Sequence, residues 1–140
     1  MTNRNISFII KHQNPLTLRP NDTVQAACRQ MCERRVGATL VTDADGHLTG
    51  IFTGRDAAQT VANGSDPSKT TLAEAMTANP DSIASERTAI EALRMMADGG
   101  YRHLPVVANG KVVGIVSRGD FKGLELDHFE DEVTLWERIC

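Results

Sequence analysis

The chain has 140 residues, of which 41% are apolar and 24% are charged, and its formal net charge is −3. This composition excludes a disordered polymer, and the length predicts roughly one domain of 100–200 residues. The longest apolar runs, such as 8–10, fall far short of the ~18 residues that a membrane span needs, and no secretory signal follows the polar N-terminus. We therefore expect a cytoplasmic protein that does not cross a membrane.

The spacing of the cysteines and histidines and the distribution of charge argue against several further classes of protein. Three cysteines without a Cys-x-x-Cys pair fit a reducing compartment, and four scattered histidines predict no metal site. Cys28 and Cys32 lie one helical turn apart, which suits either a soft-metal or redox pair or two small core residues; we favour the core. Residues 124–140 carry a net −5 and the remainder +2, which favours a small anionic ligand over nucleic acid.

The first half of the chain predicts a strand, a helix, a hairpin and a second helix. Residues 16–18 form the short strand. A helix capped by Thr23 follows, with apolar side chains at positions i, i+3, i+4 and i+7, and it is predicted to end at Gly37. The hairpin joins residues 38–42 to 47–53, and the second helix begins near Asp56.

The second half predicts the same elements again. Residues 81–83 form the strand, and Thr88 with Glu91 forms a capping box for a helix that ends at Gly99. Residues 104–108 and 111–117 form a hairpin around Asn109-Gly110, the sequence that a type I′ turn prefers. Another helix begins near Asp120.

These halves are copies of one repeat. Residues 50–56 recur as 114–120, an offset of 64, and the apolar helix positions recur at an offset of 65. A unit of about 50 to 60 residues buries its sheet poorly alone, so the copies are expected to pack by pseudo-two-fold symmetry with ligand clefts between them. The predicted fold is α+β, with two tandem β-α-β-β-α units, residues 1–66 and 67–123, forming one module. An acidic amphipathic C-terminal helix, residues 124–140, follows.

Two motifs make the repeat recognisable. Leu104-Pro105-Val106-Val107 precedes a hairpin, and Gly-Ile-x-(Thr/Ser)-x-x-Asp closes both copies. Over residues 15–123 the chain resembles the CBS domain family, as a tandem pair or Bateman module. The resemblance implies a sensor of an adenosyl ligand, AMP first and ADP, ATP, NAD or S-adenosylmethionine as alternatives. It also implies a homodimer that acts on an unidentified protein target, with no catalysis and no catalytic cofactor.

The repeated hydroxyl and acid are the leading ligand candidates. Thr53 and Ser117 end strands, and Asp56 and Asp120 follow three residues later at helix starts, where a carboxylate can accept hydrogen bonds from ribose hydroxyls. The alternative for the acids is a plain helix cap, and for the hydroxyls it is satisfaction of strand-end backbone groups.

The family's pattern, transferred residue by residue, implies two clefts. The first combines Ser117 and Asp120 with Asn14, Leu16, Arg35 and Val36, where Leu16 lines the adenine pocket. The second combines Thr53 and Asp56 with Asp81, Tyr101 and Arg102, where Tyr101 stacks on the base, Arg102 binds phosphate and His103 assists. Asp81 replaces a usually apolar residue and Thr39 replaces a proline, so the Asp120 cleft is favoured. The alternative for Arg35 and Arg102 is a solvated side chain.

Two further features of the sequence, the acidic C-terminal residues 124–140 and the lack of catalytic motifs, bear on alternative functions. One predicted helical stripe holds Phe129, Val133, Trp136 and Cys140, and it docks either on its own domain or on a partner. The runner-up function is accordingly an interaction module with vestigial ligand sites. No Ser/His/Asp or Cys/His motif and no Walker-type loop is present, so we expect no enzyme.

Overall fold

The structure is a computed structural model, and it describes residues 3–121 and Phe129. These residues form a mixed α and β fold, as the sequence predicts. In chain order they are α1 (Ile6–Ile9), β1 (Thr17–Leu18), α2 (Val24–Arg34), β2 (Ala38–Thr42), β3 (Leu48–Thr53), α3 (Gly54–Ala62), α4 (Leu72–Ala75), β4 (Thr77–Ala78), β5 (Ile83–Ala84), α5 (Ala89–Gly99), β6 (His103–Ala108), β7 (Lys111–Ser117) and a 3₁₀ turn (Arg118–Asp120).

The elements fall into two compact units. The repeat-1 unit comprises Asn14–Asp81 and Asn109–Val112. The repeat-2 unit comprises the described residues up to Gln13, Ser82–Ala108 and the described residues from Val113 onward. The units therefore do not follow the predicted boundary between residues 66 and 67, and each contains segments that are distant in sequence.

The repeat-1 unit is built on a four-stranded sheet. Its strand order is β1-β2-β3-β4, with β1 parallel to β2 and the other neighbours antiparallel. Helix α2 begins where the Thr23 hydroxyl accepts a hydrogen bond from the Ala26 N–H (3.1 Å), as predicted. One buried cluster joins this helix to α4 and the sheet, and it consists of Leu16, Val24, Ala27, Met31, Val41, Phe52 and Leu72.

The repeat-2 unit is built on the sheet β5-β6-β7, in which β5 runs parallel to β6. Thr88 caps α5 by accepting the Glu91 N–H (3.3 Å). The predicted capping box is wrong in its second half, because the Glu91 carboxylate lies 3.4 Å from the Arg87 guanidinium instead of bonding the Thr88 N–H. The core contains Ile83, Ala89, Ala92, Leu93, Met96, Leu104, Val106, Val116, Phe121 and Phe129, together with Ile6 and Ile10 from the N-terminal segment.

Two four-residue helices pack away from the repeat in which the sequence places them. Helix α1 precedes the first repeat, yet its fully buried Ile6 lies in the repeat-2 core, and Asn5 forms an antiparallel bridge with Thr88. Helix α4 precedes the second repeat, yet its fully buried Leu72 lies in the repeat-1 core. Burial of these side chains removes apolar surface from water and explains why the compact units depart from the sequence boundaries.

Helix α2 ends three residues before the predicted Gly37, whereas α5 ends at the predicted Gly99. Helix α2 ends at Arg34 and not near Gly37, because Arg35 takes the left-handed conformation (φ 54°) and its N–H bonds back to the Cys32 carbonyl (3.3 Å). In α5, Gly99 is the last helical residue and Gly100 is the left-handed cap (φ 70°). The two repeats thus end their first helix in the same conformation with different residue types.

The second hairpin turns at Asn109-Gly110, and both residues have positive φ (55° and 79°), as the predicted turn requires. Its tip belongs to the repeat-1 unit. There the Leu48 N–H donates to the Gly110 carbonyl (3.3 Å), and His47 forms a bridge with Lys111.

Of the predicted C-terminal helix, only Phe129 lies within the described residues, and its side chain is buried in the repeat-2 core. The rest of the predicted stripe lies outside them. Among the helices that the structure describes, none has the length and apolar character required to span a bilayer.

Candidate functional site

The first repeat closes on a hydrogen-bonded Thr-Asp pair at the start of α3. One carboxylate oxygen of Asp56, Oδ2, accepts the backbone N–H of Thr53 (2.9 Å) and lies 3.3 Å from the Thr53 hydroxyl. The Asp56 carbonyl accepts the Thr60 hydroxyl (3.0 Å), which anchors the first turn of the helix. We call this arrangement the Asp56 box.

The second repeat reproduces the arrangement at the 3₁₀ turn. Asp120 Oδ2 accepts the Ser117 N–H (2.7 Å) and lies 3.3 Å from the Ser117 hydroxyl. We call it the Asp120 box. The close agreement of the distances in the two boxes shows that the repeated sequence produces one repeated geometry.

Each box uses only half of its carboxylate. Within the part of the chain that the structure describes, Oδ1 of Asp56 and Oδ1 of Asp120 make no hydrogen bond to protein. Both acids are half-buried. Capping of the turn therefore accounts for Oδ2, and the second oxygen of each carboxylate stays able to accept hydroxyl donors.

Three further predicted residues lie beside each other in the repeat-2 unit. His103 begins β6 and is half-buried; burial lowers the pKa of its imidazole, the charge of Asp120 opposes that change and the charge of Arg102 reinforces it. The charges of Asp120 and Arg102 therefore both act on the His103 imidazole. Tyr101 packs partly against the repeat-2 core, and its ring covers Gly99 so closely that a Cβ there would collide with it.

The other predicted residues belong to the repeat-1 unit. The Arg34 guanidinium donates to the Asn14 carbonyl, which ties the end of α2 to the start of the unit. Arg35 and Val36 are exposed, whereas Leu16 is buried in the core and its carbonyl accepts the Leu40 N–H (2.9 Å). Asp81 is also exposed.

One polar group is left without a partner in the core. Thr39, which stands where the second repeat has Pro105, is fully buried, and its hydroxyl has no hydrogen-bond partner among the described residues. An unpaired buried hydroxyl costs about 1–3 kcal/mol, so this departure from the family's pattern weakens the repeat-1 core without adding an accessible group.

The sequence analysis did not single out one cluster of ligating groups. The metal-ligating atoms of Asp43, Asp45 and His47 all lie within 4.8 Å of one another at the first hairpin. Asp43 Oδ1 accepts the N–H groups of Asp45 (2.9 Å) and His47 (3.0 Å), and these bonds lower the pKa of the Asp43 carboxyl. The Asp-x-Asp-x-His spacing was the available signal, and the hydrogen bonds show that the acid shapes the turn.

The prediction that Cys28 and Cys32 are small core residues is correct for one of them. Cys28 packs against the repeat-1 core, and burial raises the pKa of its thiol. Cys32 is exposed. The expectation that both are core residues is therefore wrong for Cys32, which lies one turn nearer the C-terminal end of α2 and is exposed there.

Comparisons with known proteins give a consistent result. The family model described as CBS domain matches residues 8–63 and 72–126. The CBS domain-containing protein CBSCBSPB2 of Arabidopsis thaliana is 45% identical over 102 residues, which are 72% of this chain and 19% of that protein. The chain thus spans about a fifth of the length of the Arabidopsis relatives.

Solved structures agree in fold. The CBS-domain containing protein ATU1752 from Agrobacterium tumefaciens has a TM-score of 0.76 at 32% identity, over 84% of this chain and 95% of that one. The CBS domain pair of protein MJ0100, described in complex with 5-methylthioadenosine and S-adenosyl-L-methionine, has a TM-score of 0.77 at 25% identity, over 84% and 91%.

Proposed function

Because the chain belongs to the CBS domain family, we propose that it is a regulatory module that binds an adenine nucleotide through its two boxes. One observation carries the proposal: in both copies Oδ2 of the acid accepts a backbone N–H, and neither Oδ1 is hydrogen-bonded to a residue that the structure describes. A ribose presents two neighbouring hydroxyl donors, and a carboxylate fixed by a backbone hydrogen bond is a suitable acceptor for them.

Arginine side chains favour a phosphorylated ligand within the adenosyl class. Arg35 and Arg102 are exposed, and a guanidinium binds phosphate through two parallel hydrogen bonds. The MJ0100 complex supports an adenosyl group in general. AMP, ADP or ATP therefore suits these two arginines better than S-adenosylmethionine, whose sulfonium is a cation. The residues proposed to contact the ligand are Asn14, Leu16, Arg35, Val36, Thr53, Asp56, Asp81, Tyr101, Arg102, His103, Ser117 and Asp120.

The proposed activity is binding without chemistry. The ligand acts by favouring one arrangement of a homodimer or of a protein target, and it does so only by as much as its affinities for two arrangements differ. The alternative, an interaction module, uses the C-terminal stripe to bind a partner. Phe129 of that stripe is buried in the chain's own core, which argues against its contact with a partner.

Titration calorimetry with AMP, ADP, ATP, NAD and S-adenosylmethionine tests the proposal. Asp120→Asn and Asp56→Asn keep one oxygen for the backbone cap and remove the charged acceptor. Each is expected to weaken AMP binding at its own site at least about tenfold, the value of a charged hydrogen bond. The matched control is Asp66→Ala, an exposed acid that caps the Ser68 N–H (2.9 Å) outside both boxes. Unchanged AMP affinity in both asparagine variants, or no binding of any of the five compounds, contradicts the proposal.

A further inference from the structure

The Asp120 box is tied to the N-terminal segment of the chain. The Arg4 guanidinium donates a hydrogen bond from Nη2 to the Asp120 carbonyl (2.9 Å), across 116 residues of sequence and in a half-buried position. Both residues lie in the repeat-2 unit. No sequence motif joins them, and none of the ligand contacts proposed above includes Arg4.

The backbone around Arg4 is fixed on both sides. The Arg4 carbonyl accepts the Ala89 N–H (2.8 Å), the Ile6 N–H donates to the Arg87 carbonyl (2.8 Å), and the Asn3 side chain accepts the Ile90 N–H (3.1 Å). With Ile6 fully buried in the core, the segment is part of the unit and not a loose end. The guanidinium therefore approaches the 3₁₀ turn from an anchored position.

The two boxes differ in how their backbone is held. The Asp56 carbonyl accepts the hydroxyl of Thr60 within its own nine-residue helix. The Asp120 carbonyl belongs to the last residue of a three-residue 3₁₀ turn, and its side-chain donor comes from Arg4. Because 3₁₀ turns are short and have poorer hydrogen-bond geometry than α-helices, an external donor has more effect there.

We propose that Arg4 is a positioning residue for the Asp120 site. By holding the Asp120 carbonyl it fixes the turn from which the carboxylate projects, with Oδ2 on the Ser117 N–H and Oδ1 directed at the ligand. Nucleotide affinity at this site then depends on the N-terminal segment, whereas affinity at the Asp56 site does not. This inference rests on the proposed function.

The test measures each site separately. Asp56→Asn leaves the Asp120 site as the tighter one, and Asp120→Asn leaves the Asp56 site. Arg4→Met, which keeps an apolar stem and removes the donor, is added to each background, and AMP binding is measured by calorimetry. We expect affinity to fall about three- to tenfold in the Asp56→Asn background, the range of one hydrogen bond, and to change less than about twofold in the Asp120→Asn background.

Controls separate positioning from folding. Arg4→Lys retains a charged donor and is expected to recover most of the affinity, and Arg19→Met removes an exposed arginine of the repeat-1 unit with no effect at either site. If Arg4→Met does not fold, Arg4→Leu replaces it with the same expectation, because leucine also lacks a donor. Equal losses at both sites, or no loss at the Asp120 site, overturn the inference. If instead the two asparagine variants bind AMP like the unmodified chain, it is the proposed function that fails.

Discussion

Arg35 adopts a backbone conformation that the second repeat gives to glycine. Its φ of 54° corresponds to 70° at Gly100, 65 residues later. A left-handed residue with a Cβ costs roughly 1–2 kcal/mol, which glycine avoids. An arginine at such a strained position agrees with the role in ligand binding that we propose for its side chain.

Arg35→Gly is therefore expected to have opposite effects on stability and binding. Relief of the left-handed strain raises the melting temperature by about 2–4 °C, allowing for the greater entropy of glycine in the unfolded chain. Loss of the guanidinium lowers AMP affinity about tenfold. Thermal melts and calorimetry measure the two effects. Asn109→Gly, at a φ of 55° in the second hairpin, is the control for stability without a change in affinity. Unchanged AMP affinity in Arg35→Gly would remove Arg35 from the proposed site.

His103 gives the chain a defined response to acid. Burial lowers its pKa below the ordinary value of about 6.5, so the folded state favours the neutral imidazole. The unfolded state then binds the proton first as pH falls. The stabilisation is fully present above about pH 6.5 and is lost as pH falls through the lowered pKa of the folded state.

Urea unfolding at pH 8 and pH 5 measures this response. The free energy of unfolding is expected to fall less on acidification in His103→Gln than in the unmodified chain, because glutamine takes up no proton. His12→Gln, at an exposed histidine, is expected to behave like the unmodified chain. An identical pH dependence in the His103 and His12 variants would contradict the assignment.

At the scale of elements, both hairpins carry a glycine beneath an apolar side chain. Met76 lies against Gly50 in β3, and Ile10 lies against Gly114 in β7, where a Cβ would stand 2.8 Å from the isoleucine Cγ2. The two glycines are 64 residues apart in the repeat. Each is therefore required by close approach of a neighbouring segment and not by its own backbone angles.

Gly114→Ala is expected to destabilise the chain by about 1–3 kcal/mol, the cost of overpacking, because the β-branched Ile10 has few alternative rotamers. Gly50→Ala is expected to cost less, since the flexible Met76 can move. Urea denaturation measures both. Adding Ile10→Ala to Gly114→Ala makes room for the new methyl group, so the double variant is expected to lose less than the sum of the single variants. Strict additivity would show that the two residues do not compete for space.

The elements also show what sequence can and cannot predict here. The paired strands β2, β3, β6 and β7 agree with the prediction within one residue, because alternation and the Asn109-Gly110 turn are local signals. Helices α1 and α4 were not predicted, since four residues hold no periodicity and distant partners stabilise them. The Thr-Asp and Ser-Asp spacing identified both boxes, whereas the Arg4 bond joins residues 116 apart and leaves no local pattern.

At the scale of the whole molecule, the chain passes between the two units four times, after residues 13, 81, 108 and 112. Neither unit is a contiguous segment. The repeat-1 unit comes closest, since residues 14–81 contain its complete four-stranded sheet and the buried Leu72.

Two fragments of nearly equal length test this organisation. Residues 14–81, expressed alone, are expected to melt cooperatively with a clear helical signal by circular dichroism. Residues 1–66, the first repeat as the sequence divides it, lack α4 and β4 and carry an α1 whose core partners are missing. They are expected to melt without a cooperative transition. Equal stability of the two fragments would contradict the conclusion that α1 and α4 stabilise the units in which they pack.

The exchange of α1 and α4 gives the molecule the character of a split protein. The exposed connection at 63–66, which follows α3, is a natural place for a protease to cut. Each piece would then keep a helix that fills the apolar core of the other, as subunits do in a domain-swapped dimer. We therefore expect the two pieces to stay associated after a single cut at this connection. Pieces produced separately are expected to associate when they are mixed.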